Sequence, residues 1–271
     1  MKRSVYMISD GTALTVESLG SSLLTQFESV EFEKKVFPFV DSMEKAQQIC
    51  EKINLDYENT QLRPIVFMTL VDPIRSDLIR ATNARVFDFF ESFLIQLEDE
   101  LKVTASDIVG KAHSVLSKEK YSLRIDAVNY ALAYDDGIKL AGYEQADIIL
   151  LGVSRCGKTP CCLYMALQFG VFAANYPLVE ESFFDYKLPA SLLPFKNKLF
   201  GLTIDPERLA SIREERRPNS QYASYNQCKT EINAVENMYK YEKIPYINST
   251  RFSIEEISTK IMSAAQISRK F

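Results

Sequence analysis

The sequence predicts an α/β protein of two domains, each built around a largely parallel sheet. Short apolar runs of strand length alternate with longer segments of helical period through the first half of the chain. This alternation fades after about residue 102 and resumes near residue 146, where a glycine-rich loop joins a strand to a helix. Because strands that alternate with helices form parallel sheets, we expect an N-terminal α/β domain over residues 1–140 and a second α/β domain over residues 141–271.

The N-terminal domain is expected to contain three strands and five helices. Strands are predicted for the runs SVYMIS, KKVFPFV and RPIVFMTLV. Helices are predicted over Ala13–Phe27, Met43–Ile53, Asp72–Thr82 and Phe87–Leu101. After an irregular stretch, the segment YSLRIDAVNYALAYDDG is predicted as a helix that ends at Asp135-Asp136-Gly137. We place the domain boundary just after this stop signal, near residue 140.

The second domain begins with the apolar run ADIILLGV, which indicates a buried strand, and a helix follows the glycine-rich loop. The run LFGLTID is predicted as the next strand. Asp205 and Pro206 suit the N-cap and first turn of the helix after it. The segment NQCKTEINAVENMYKYEK is predicted as a long helix and IPYIN as a strand. Ser253 and Glu256 form a capping-box pattern that begins the last helix.

The loop Gly152-Val153-Ser154-Arg155-Cys156-Gly157-Lys158-Thr159 fits the phosphate-binding pattern G-x-x-x-x-G-K-[ST]. Its glycines let the backbone wrap a diphosphate, and the following helix directs its positive end at the anion. Lys158 is predicted to hold the terminal phosphates and Thr159 to ligate Mg²⁺. A chance glycine turn is the minor alternative, because a strand precedes the loop and a helix follows it. The second domain is therefore predicted to be P-loop kinase-like and to bind a nucleotide.

Composition limits the function classes. The chain has 271 residues, of which 46% are hydrophobic and 25% charged, as is typical of globular proteins. A net charge of −4 gives no electrostatic case for nucleic acid or an anionic membrane as partner. Since no signal peptide or membrane-length apolar run is evident, we expect a cytoplasmic protein. Five cysteines without metal-type spacing indicate free thiols, and the single histidine, His113, excludes a His-rich metal site.

Two further groups of residues are candidates for phosphate or substrate binding. Asp10 and Thr12 lie in a turn after the first strand, at the sheet edge where α/β proteins bind ligands. Turn and capping preferences explain the same residues without a ligand. Arg213, Arg216 and Arg217 flank the apolar stripe of their helix, where guanidinium groups suit phosphate. Surface ion pairs with neighbouring glutamates are the alternative for these arginines.

Candidate acids, bases and metal ligands are few. Asp205 ends a predicted strand beside the loop, so it could ligate Mg²⁺ or act as the base that orients a hydroxyl nucleophile. A plain N-cap role explains it equally well. His113 lies in an irregular stretch and is a candidate acid or base without an evident partner. Asp135 and Asp136 are interpreted as a helix stop, and Cys156 as a small loop residue in preference to a redox sensor.

Nearly the whole chain, from Ile8 to Ile261, resembles the bacterial pyruvate, phosphate dikinase and phosphoenolpyruvate synthase regulatory protein family. The resemblance is carried, in the family's order, by ISDGTALTVESLG, YALAYDDG, LLGVSRCGKTP, AANYPLV, LFGLTIDPERLASIREERRPNSQYAS and INSTRFSIEEISTKI. The GVSRCGKTP and FGLTIDPERL blocks are most similar to the synthase branch. The chain departs from the family pattern at Tyr134, where histidine is expected. If that histidine takes part in catalysis, its role is either missing in this chain or falls to His113.

The resemblance implies a bifunctional enzyme. One activity is a Ser/Thr kinase that uses ADP to phosphorylate and inactivate phosphoenolpyruvate synthase at a threonine near its phosphoryl-carrier histidine. The other is a phosphorylase that removes this phosphate with inorganic phosphate and releases diphosphate. The resemblance also implies that Gly152 to Thr159 form the ADP site. Pyruvate, phosphate dikinase is the alternative target, a small-molecule kinase or a nucleotide sensor is the alternative class, and a homodimer is compatible with the sequence.

Overall fold

The computed structural model of the protein describes residues 2–106, 118–137, 140–179 and 187–270. The chain forms two compact units, Met1–Val115 and Leu116–Phe271. Each unit has its own four-stranded sheet, and every strand pair is parallel. The predicted α/β class is therefore confirmed. Within the described ranges, no helix is both long enough and apolar enough to cross a membrane.

Strands and helices alternate strictly in the first unit. Its elements are β1 (Lys2–Ser9), α1 (Leu14–Leu24), β2 (Glu31–Phe37), α2 (Met43–Thr60), β3 (Ile65–Thr69), α3 (Pro73–Arg80), β4 (Arg85–Asp88) and α4 (Phe89–Leu101). The sheet order is β2-β1-β3-β4. The second strand therefore lies on one side of the interior strand β1, and the third strand lies on the other side. The carboxyl ends of β1 and β3 consequently form a topological switch point, where sheets of this kind bind ligands.

The sequence of β1 explains its central place. Tyr6 and Ile8 are buried in one apolar cluster, and Val5 and Met7 are buried in another. Both faces of the strand are thus covered, which is the usual condition of a parallel sheet and accounts for the unbroken apolar run.

The second unit repeats this arrangement. Its helices and strands are α5 (Lys118–Ala133), β5 (Ile148–Gly152), α6 (Lys158–Phe169), β6 (Ala173–Pro177), β7 (Leu199–Thr203), α7 (Pro206–Arg216), α8 (Tyr225–Glu242), β8 (Tyr246–Asn248) and α9 (Ile254–Ala264). Short 3-10 helices cover Asp135–Gly137, Leu140–Gln145, Ala190–Lys198 and Gln221–Ala223. The sheet order is β6-β5-β7-β8, with β5 fully buried. The predicted capping box at Ser253 and Glu256 is present at the start of α9.

The division between the units differs from the predicted boundary at residue 140. Helix α5 packs on α6 and β6, and its residues Ala127, Tyr130 and Ala131 belong to the core of the second unit. The two units divide at Val115 and Leu116, before this helix. The stop signal at residues 135–137 marks the end of a helix and not the end of a compact unit.

Two strands were not predicted. Strand β4 is four residues long and runs directly into α4, so its apolar residues merged with the helical pattern. Strand β6 carries Asn175 and Pro177, which are uncommon in strands, and it lacks the expected apolar run. Smaller differences concern bounds: β2 begins and ends three residues before the predicted run 34–40, and α2 continues to Thr60.

Candidate active site

The glycine-rich loop between β5 and α6 is held by donors from distant parts of the second unit. Arg213 of α7 donates from Nη2 to the carbonyl oxygen of Ser154 at 3.2 Å. Ser249, which follows β8, donates from Oγ to the carbonyl oxygen of Cys156 at 3.1 Å. In a trans peptide the N–H group points opposite to the carbonyl. The amides that follow these two carbonyls therefore point away from the donors that anchor the loop.

Lys158 engages a third carbonyl of the loop. It is 4% exposed, and its Nζ donates to the carbonyl oxygen of Val153 at 3.0 Å. This contact places the ammonium over the Val153–Ser154 end of the loop. In loops of this sequence the lysine binds the terminal phosphates of a nucleotide, so that end of the loop is where a terminal phosphate would lie.

Gly152 begins the loop where β5 passes close to β7. A Cβ atom at this position would lie 2.6 Å from Sγ of Cys156 and 2.7 Å from the carbonyl oxygen of Leu202. The second contact is with backbone, which cannot rotate away as a flexible side chain could. Glycine at this position is thus required by the close approach of the two strands.

A carboxylate from an earlier segment meets the threonine of the loop. Thr159 donates from Oγ1 to Oδ1 of Asp135 at 2.8 Å. Asn175, fully buried in β6, donates from Nδ2 to the same oxygen and accepts the backbone N–H of Asp136 at 3.1 Å. The sequence does not reveal Asp135 and Asn175 as site residues, because Asp135 and Asp136 fit a helix stop equally well.

The structure gives Asp205 other partners than the loop. Its carboxylate accepts a hydrogen bond from Nδ2 of Asn248 at 2.8 Å, and its backbone N–H donates to Oγ1 of Thr250 at 2.8 Å. Asp205 was predicted to join Thr159 as a Mg²⁺ ligand, and this stays a prediction, but the carboxylate that accepts a hydrogen bond from Thr159 is that of Asp135. The reason is that Asn175 of β6 holds the 135–137 segment against the start of α6.

The oxygen atoms of Thr159 and Asp135 fit the ligand preference of Mg²⁺. Among the described residues, no group of three or more His, Cys, Asp or Glu side chains forms a metal cage. Mg²⁺ commonly binds through one or two carboxylates and completes its coordination with phosphate oxygens and water. The available donors suit that mode of binding better than an all-protein site.

Arg213 is a supporting residue of the loop. It is 1% exposed and forms a two-point ion pair with Glu231, with N···O distances of 2.6 and 3.1 Å. Burial alone would lower the pKa of Arg213, but the hydrogen bonds and charge of Glu231 outweigh it and raise the pKa above its usual value. Glu231 already neutralises this guanidinium, and its predicted role as a phosphate grip stays a prediction.

Arg216 and Arg217 lie at the C-terminal end of the same helix and are exposed. The guanidinium of Arg217 lies 6.0 Å from the ring centre of Tyr222, whereas that of Arg213 lies much closer, at 4.1 Å. Arg155, in the loop itself, is exposed and has a left-handed backbone with φ of 76°. The structure thus separates one buried structural arginine from three cations at the surface.

The predicted residues of the first unit lie at its own sheet edge. Asp10 is 8% exposed, and its carboxylate accepts the backbone N–H of Val71 at 2.7 Å. Thr12 is exposed. Both line a cavity of about 500 Å³ at the carboxyl ends of β1 and β3. His113 lies outside the described residues.

The side chains of Tyr134 and Cys156 are packed within the protein. The Tyr134 ring lies 4.5 Å from that of Tyr130, and a Cβ atom at Gly142 would overlap it. Burial raises the pKa of the Cys156 thiol, and its accessible fraction is 1%. This supports the interpretation of Cys156 as a packing residue, since an unreactive thiol is what burial in apolar surroundings produces. All five cysteines are free.

The fold and site together define a class of protein. A parallel α/β unit carries the G-x-x-x-x-G-K-T sequence between its interior strand and a helix, with a carboxylate bonded to the threonine. This arrangement is characteristic of phosphoryl-transfer proteins. The chain belongs to the kinase/pyrophosphorylase family, whose model matches residues 5–262.

Full-length relatives agree with this membership. The chain is 55% identical over 270 residues to a protein of Legionella pneumophila strain Corby and 52% identical over 271 residues to one of Pseudomonas fluorescens. It is 51% identical over 271 residues to a protein of Pseudomonas savastanoi. Each match covers 100% of both chains. All three relatives are provisionally named phosphoenolpyruvate synthase regulatory protein.

Proposed function

We propose that this protein regulates phosphoenolpyruvate synthase as an ADP-dependent Ser/Thr kinase and a phosphate-dependent phosphorylase that act on the same threonine. The observation that carries the proposal is the hydrogen bond of the loop residue Thr159 to Asp135, in a chain of the kinase/pyrophosphorylase family. The names of the relatives support the choice of target. The finer assignment to two opposed reactions follows the family resemblance.

The loop would bind the diphosphate of ADP. The amides of residues 155 and 157 point opposite to the anchored carbonyls, and the N-terminus of α6 adds its positive end. Lys158 would contact the terminal phosphate. Thr159 and Asp135 would hold Mg²⁺, which supplies positive charge to the phosphate oxygens.

Asp136 is the proposed base of the kinase reaction. It is exposed beside Asp135, and its backbone is held at φ of 51° with its N–H bonded to Asn175. A non-glycine residue in the left-handed region persists where the surroundings fix it, and such positions cluster at active sites. Asp136 would accept the proton of the target threonine while the threonine oxygen attacks the β-phosphorus of ADP. The bond from that phosphorus to the bridging oxygen breaks, and AMP leaves.

The phosphorylase reaction would use the same groups. An oxygen of inorganic phosphate, bound on the loop, attacks the phosphorus of the phosphothreonine. The bond between that phosphorus and the threonine oxygen breaks, the threonine oxygen takes a proton from Asp136, and diphosphate leaves. One pocket would thus serve both reactions, because each transfers a phosphoryl group between a threonine oxygen and a phosphate held by the loop.

Transfer of label from ADP tests the proposal. The purified protein is incubated with β-labelled ADP and Mg²⁺, in separate reactions with phosphoenolpyruvate synthase and with pyruvate, phosphate dikinase. We expect labelled phosphothreonine on the synthase, and release of labelled diphosphate when inorganic phosphate is then added. Reactions without a target protein measure background.

Each other result would contradict part of the proposal. Label on the dikinase alone would replace the target and keep the chemistry. Label on a metabolite in the absence of a target would identify a small-molecule kinase. ADP binding without transfer to either protein would identify a nucleotide sensor.

A further inference from the structure

A second cavity adjoins the glycine-rich loop within the second unit. Its volume is about 370 Å³. One wall is the loop residue Ser154, and the opposite walls come from the end of β6, from α7 and from α8. The lining residues are Ser154, Leu178, Val179, Arg213, Gln221, Tyr222, Gln227 and Glu231.

The cavity lies at the terminal-phosphate end of the loop. Nζ of Lys158 is bonded to the carbonyl of Val153, the residue immediately before Ser154. A terminal phosphate bound by Lys158 would therefore lie beside Ser154. In phosphoryl transfer the attacking oxygen approaches in line with the bond that breaks, so the acceptor must lie beyond the terminal phosphate. Ser154 and its cavity occupy that side of the loop.

Among the described lining residues, the charges of the cavity walls nearly cancel. The cation of the wall, Arg213, is paired with Glu231 through two N···O contacts. Gln227 donates to the same carboxylate at 3.1 Å. The other described lining residues carry hydroxyl, amide, aromatic and aliphatic groups. A site with this composition suits an uncharged hydroxyl side chain and its peptide backbone better than a second phosphate group.

Two hydroxyls meet at the boundary between the cavity and the loop. Tyr222 donates from its hydroxyl to Oγ of Ser154 at 3.0 Å. The guanidinium of Arg213 lies 4.1 Å from the centre of the Tyr222 ring and fixes it. Nη1 of the same arginine donates to the backbone carbonyl oxygen of Tyr222 at 3.1 Å. Since Oγ of Ser154 accepts a hydrogen bond from Tyr222, the hydroxyl proton of Ser154 remains free to be donated to a second group.

We propose that this cavity is the subsite for the hydroxyl-bearing peptide segment that receives the phosphoryl group, with Tyr222 as the residue that positions Ser154. The inference depends on the proposed function and adds the place where the protein substrate enters. Ser154 donates to the phosphoryl group as it moves from the diphosphate to the threonine oxygen. Tyr222 acts through Ser154, because its hydroxyl is bonded to Oγ of that loop residue.

Two variants test the subsite by different means. Tyr222→Phe keeps the ring and its contact with Arg213 but removes the hydroxyl. We expect kcat for labelling of the synthase to fall about tenfold, because the hydrogen bond that fixes Oγ of Ser154 is lost. Val179→Trp fills the cavity from its rim, where Val179 is 52% exposed, and should raise KM for the synthase at least about tenfold. Neither change should alter Kd for ADP by more than about twofold.

Matched controls separate these effects from altered folding. Tyr225→Phe removes a hydroxyl from a ring that is 44% exposed, three residues beyond Tyr222. Leu193→Trp adds the same bulk at a site that is 53% exposed and outside the cavity lining. Both should retain wild-type kcat and KM. Ser154→Ala combined with Tyr222→Phe should be no worse than Ser154→Ala alone, because Tyr222 acts through Ser154.

The outcomes distinguish this inference from the proposed function. Failure of the wild-type protein to label any protein would contradict the proposed function. With wild-type labelling intact, unchanged kcat and KM in Tyr222→Phe and Val179→Trp would overturn the subsite. Weaker ADP binding by Val179→Trp with an unchanged KM for the synthase would show that the cavity holds the nucleoside, which also overturns it. Additive effects of the Ser154 and Tyr222 changes would overturn the positioning role of Tyr222.

Discussion

The two units have sheets with the same strand order but different loops after the interior strand. In each sheet the first strand of the unit lies between the second and the third, and the fourth lies at the edge. In the first unit the loop after β1 satisfies its polar groups locally: Oγ of Ser9 accepts from Thr69 at 3.0 Å, and Asp10 accepts from Val71 at 2.7 Å. In the second unit the loop after β5 begins with Gly152, and Nζ of Lys158 donates to the carbonyl oxygen of Val153 in the same loop.

The difference between the loops shows that strand order alone does not determine which polar residues the loop carries. The switch point puts both loops at the carboxyl edge of a sheet. Only the second loop combines a lysine, a threonine bonded to a carboxylate and a glycine forced by a neighbouring strand. The first presents an acidic side chain, Asp10, at the corresponding place. Function therefore follows the residues placed on the fold.

Removal of the lysine should have the largest effect. Lys158→Ala is expected to lower both the kinase and the phosphorylase rates by about a thousandfold or more, because the cation that faces the moving phosphoryl group is lost. Lys52→Ala, an equal change on a helix of the first unit, should leave both rates within about twofold of wild type. Both rates are measured with labelled ADP and with phosphorylated synthase. Survival of either reaction in Lys158→Ala would contradict a shared pocket.

Substitution of Asp135, one of the two candidate metal ligands, should have the next largest effect. Asp135→Asn keeps the shape of the side chain but removes the charge beside Thr159, and we expect a loss of about a hundredfold together with a higher Mg²⁺ requirement. Asp205→Asn should change the rate by less than about threefold, because Asp205 bonds to Asn248 and not to the loop. The rates are compared across a Mg²⁺ titration. A larger effect of Asp205→Asn would support the role predicted for Asp205 from the sequence.

Loss of the buried ion pair should destabilise the second unit. Arg213→Met leaves Glu231, whose side chain is 12% exposed, without its cation, and we expect a loss of about 3 kcal/mol in unfolding free energy. The double variant with Glu231→Met should recover most of that loss. Urea unfolding gives the totals, and amide hydrogen exchange locates them in residues 140–179 and 187–270. Equal losses in the single and double variants would show that packing, not charge, is the cause.

A smaller, pH-dependent effect is expected in the first unit. Burial would raise the pKa of Asp56, but hydrogen bonds from Lys35 and Tyr6 and the Lys35 charge outweigh it and lower the pKa below its usual value. The resulting stabilisation is fully present above the unfolded pKa, near 3.9, and is lost as pH falls through the lowered folded value.

Asp56→Asn should therefore destabilise the protein by about 1 kcal/mol at pH 6, and this difference from wild type should shrink below about pH 4. Urea unfolding at several pH values measures it. Glu58→Gln, on the same helix and exposed, is the matched control and should show no such trend. A difference that grows on acidification would contradict the direction of the pKa shift.

The elements with strong periodicity could be predicted from sequence, and the exceptions have physical reasons. Strands β1, β3, β5 and β7 are apolar because both of their faces are buried, so their runs were recognisable. Strand β6 was missed because Asn175 occupies its centre. Asn175 forms hydrogen bonds with residues 135 and 136. The residue that interrupts the apolar pattern of the strand is therefore also part of the candidate site.

The candidate site could be predicted only where residues are close in sequence. The spacing within 152–159 defines the loop on its own. The pairing of Thr159 with Asp135 spans 24 residues and depends on how the 135–137 segment is held against β6, which no local pattern reveals. Arg213 was noticed for its position on the helix, but its burial with Glu231 depends on the packing of α7 on α8.

The anchored carbonyls of the loop bear on how tightly the protein can hold small anions. Donors from Lys158, Arg213 and Ser249 fix the peptide groups of Val153, Ser154 and Cys156. A backbone that is rigid in its binding conformation loses little conformational entropy when a ligand arrives. In the proposed phosphorylase reaction, preorganisation of this kind would favour inorganic phosphate in particular, since so small an ion makes too few contacts to order a flexible loop by itself.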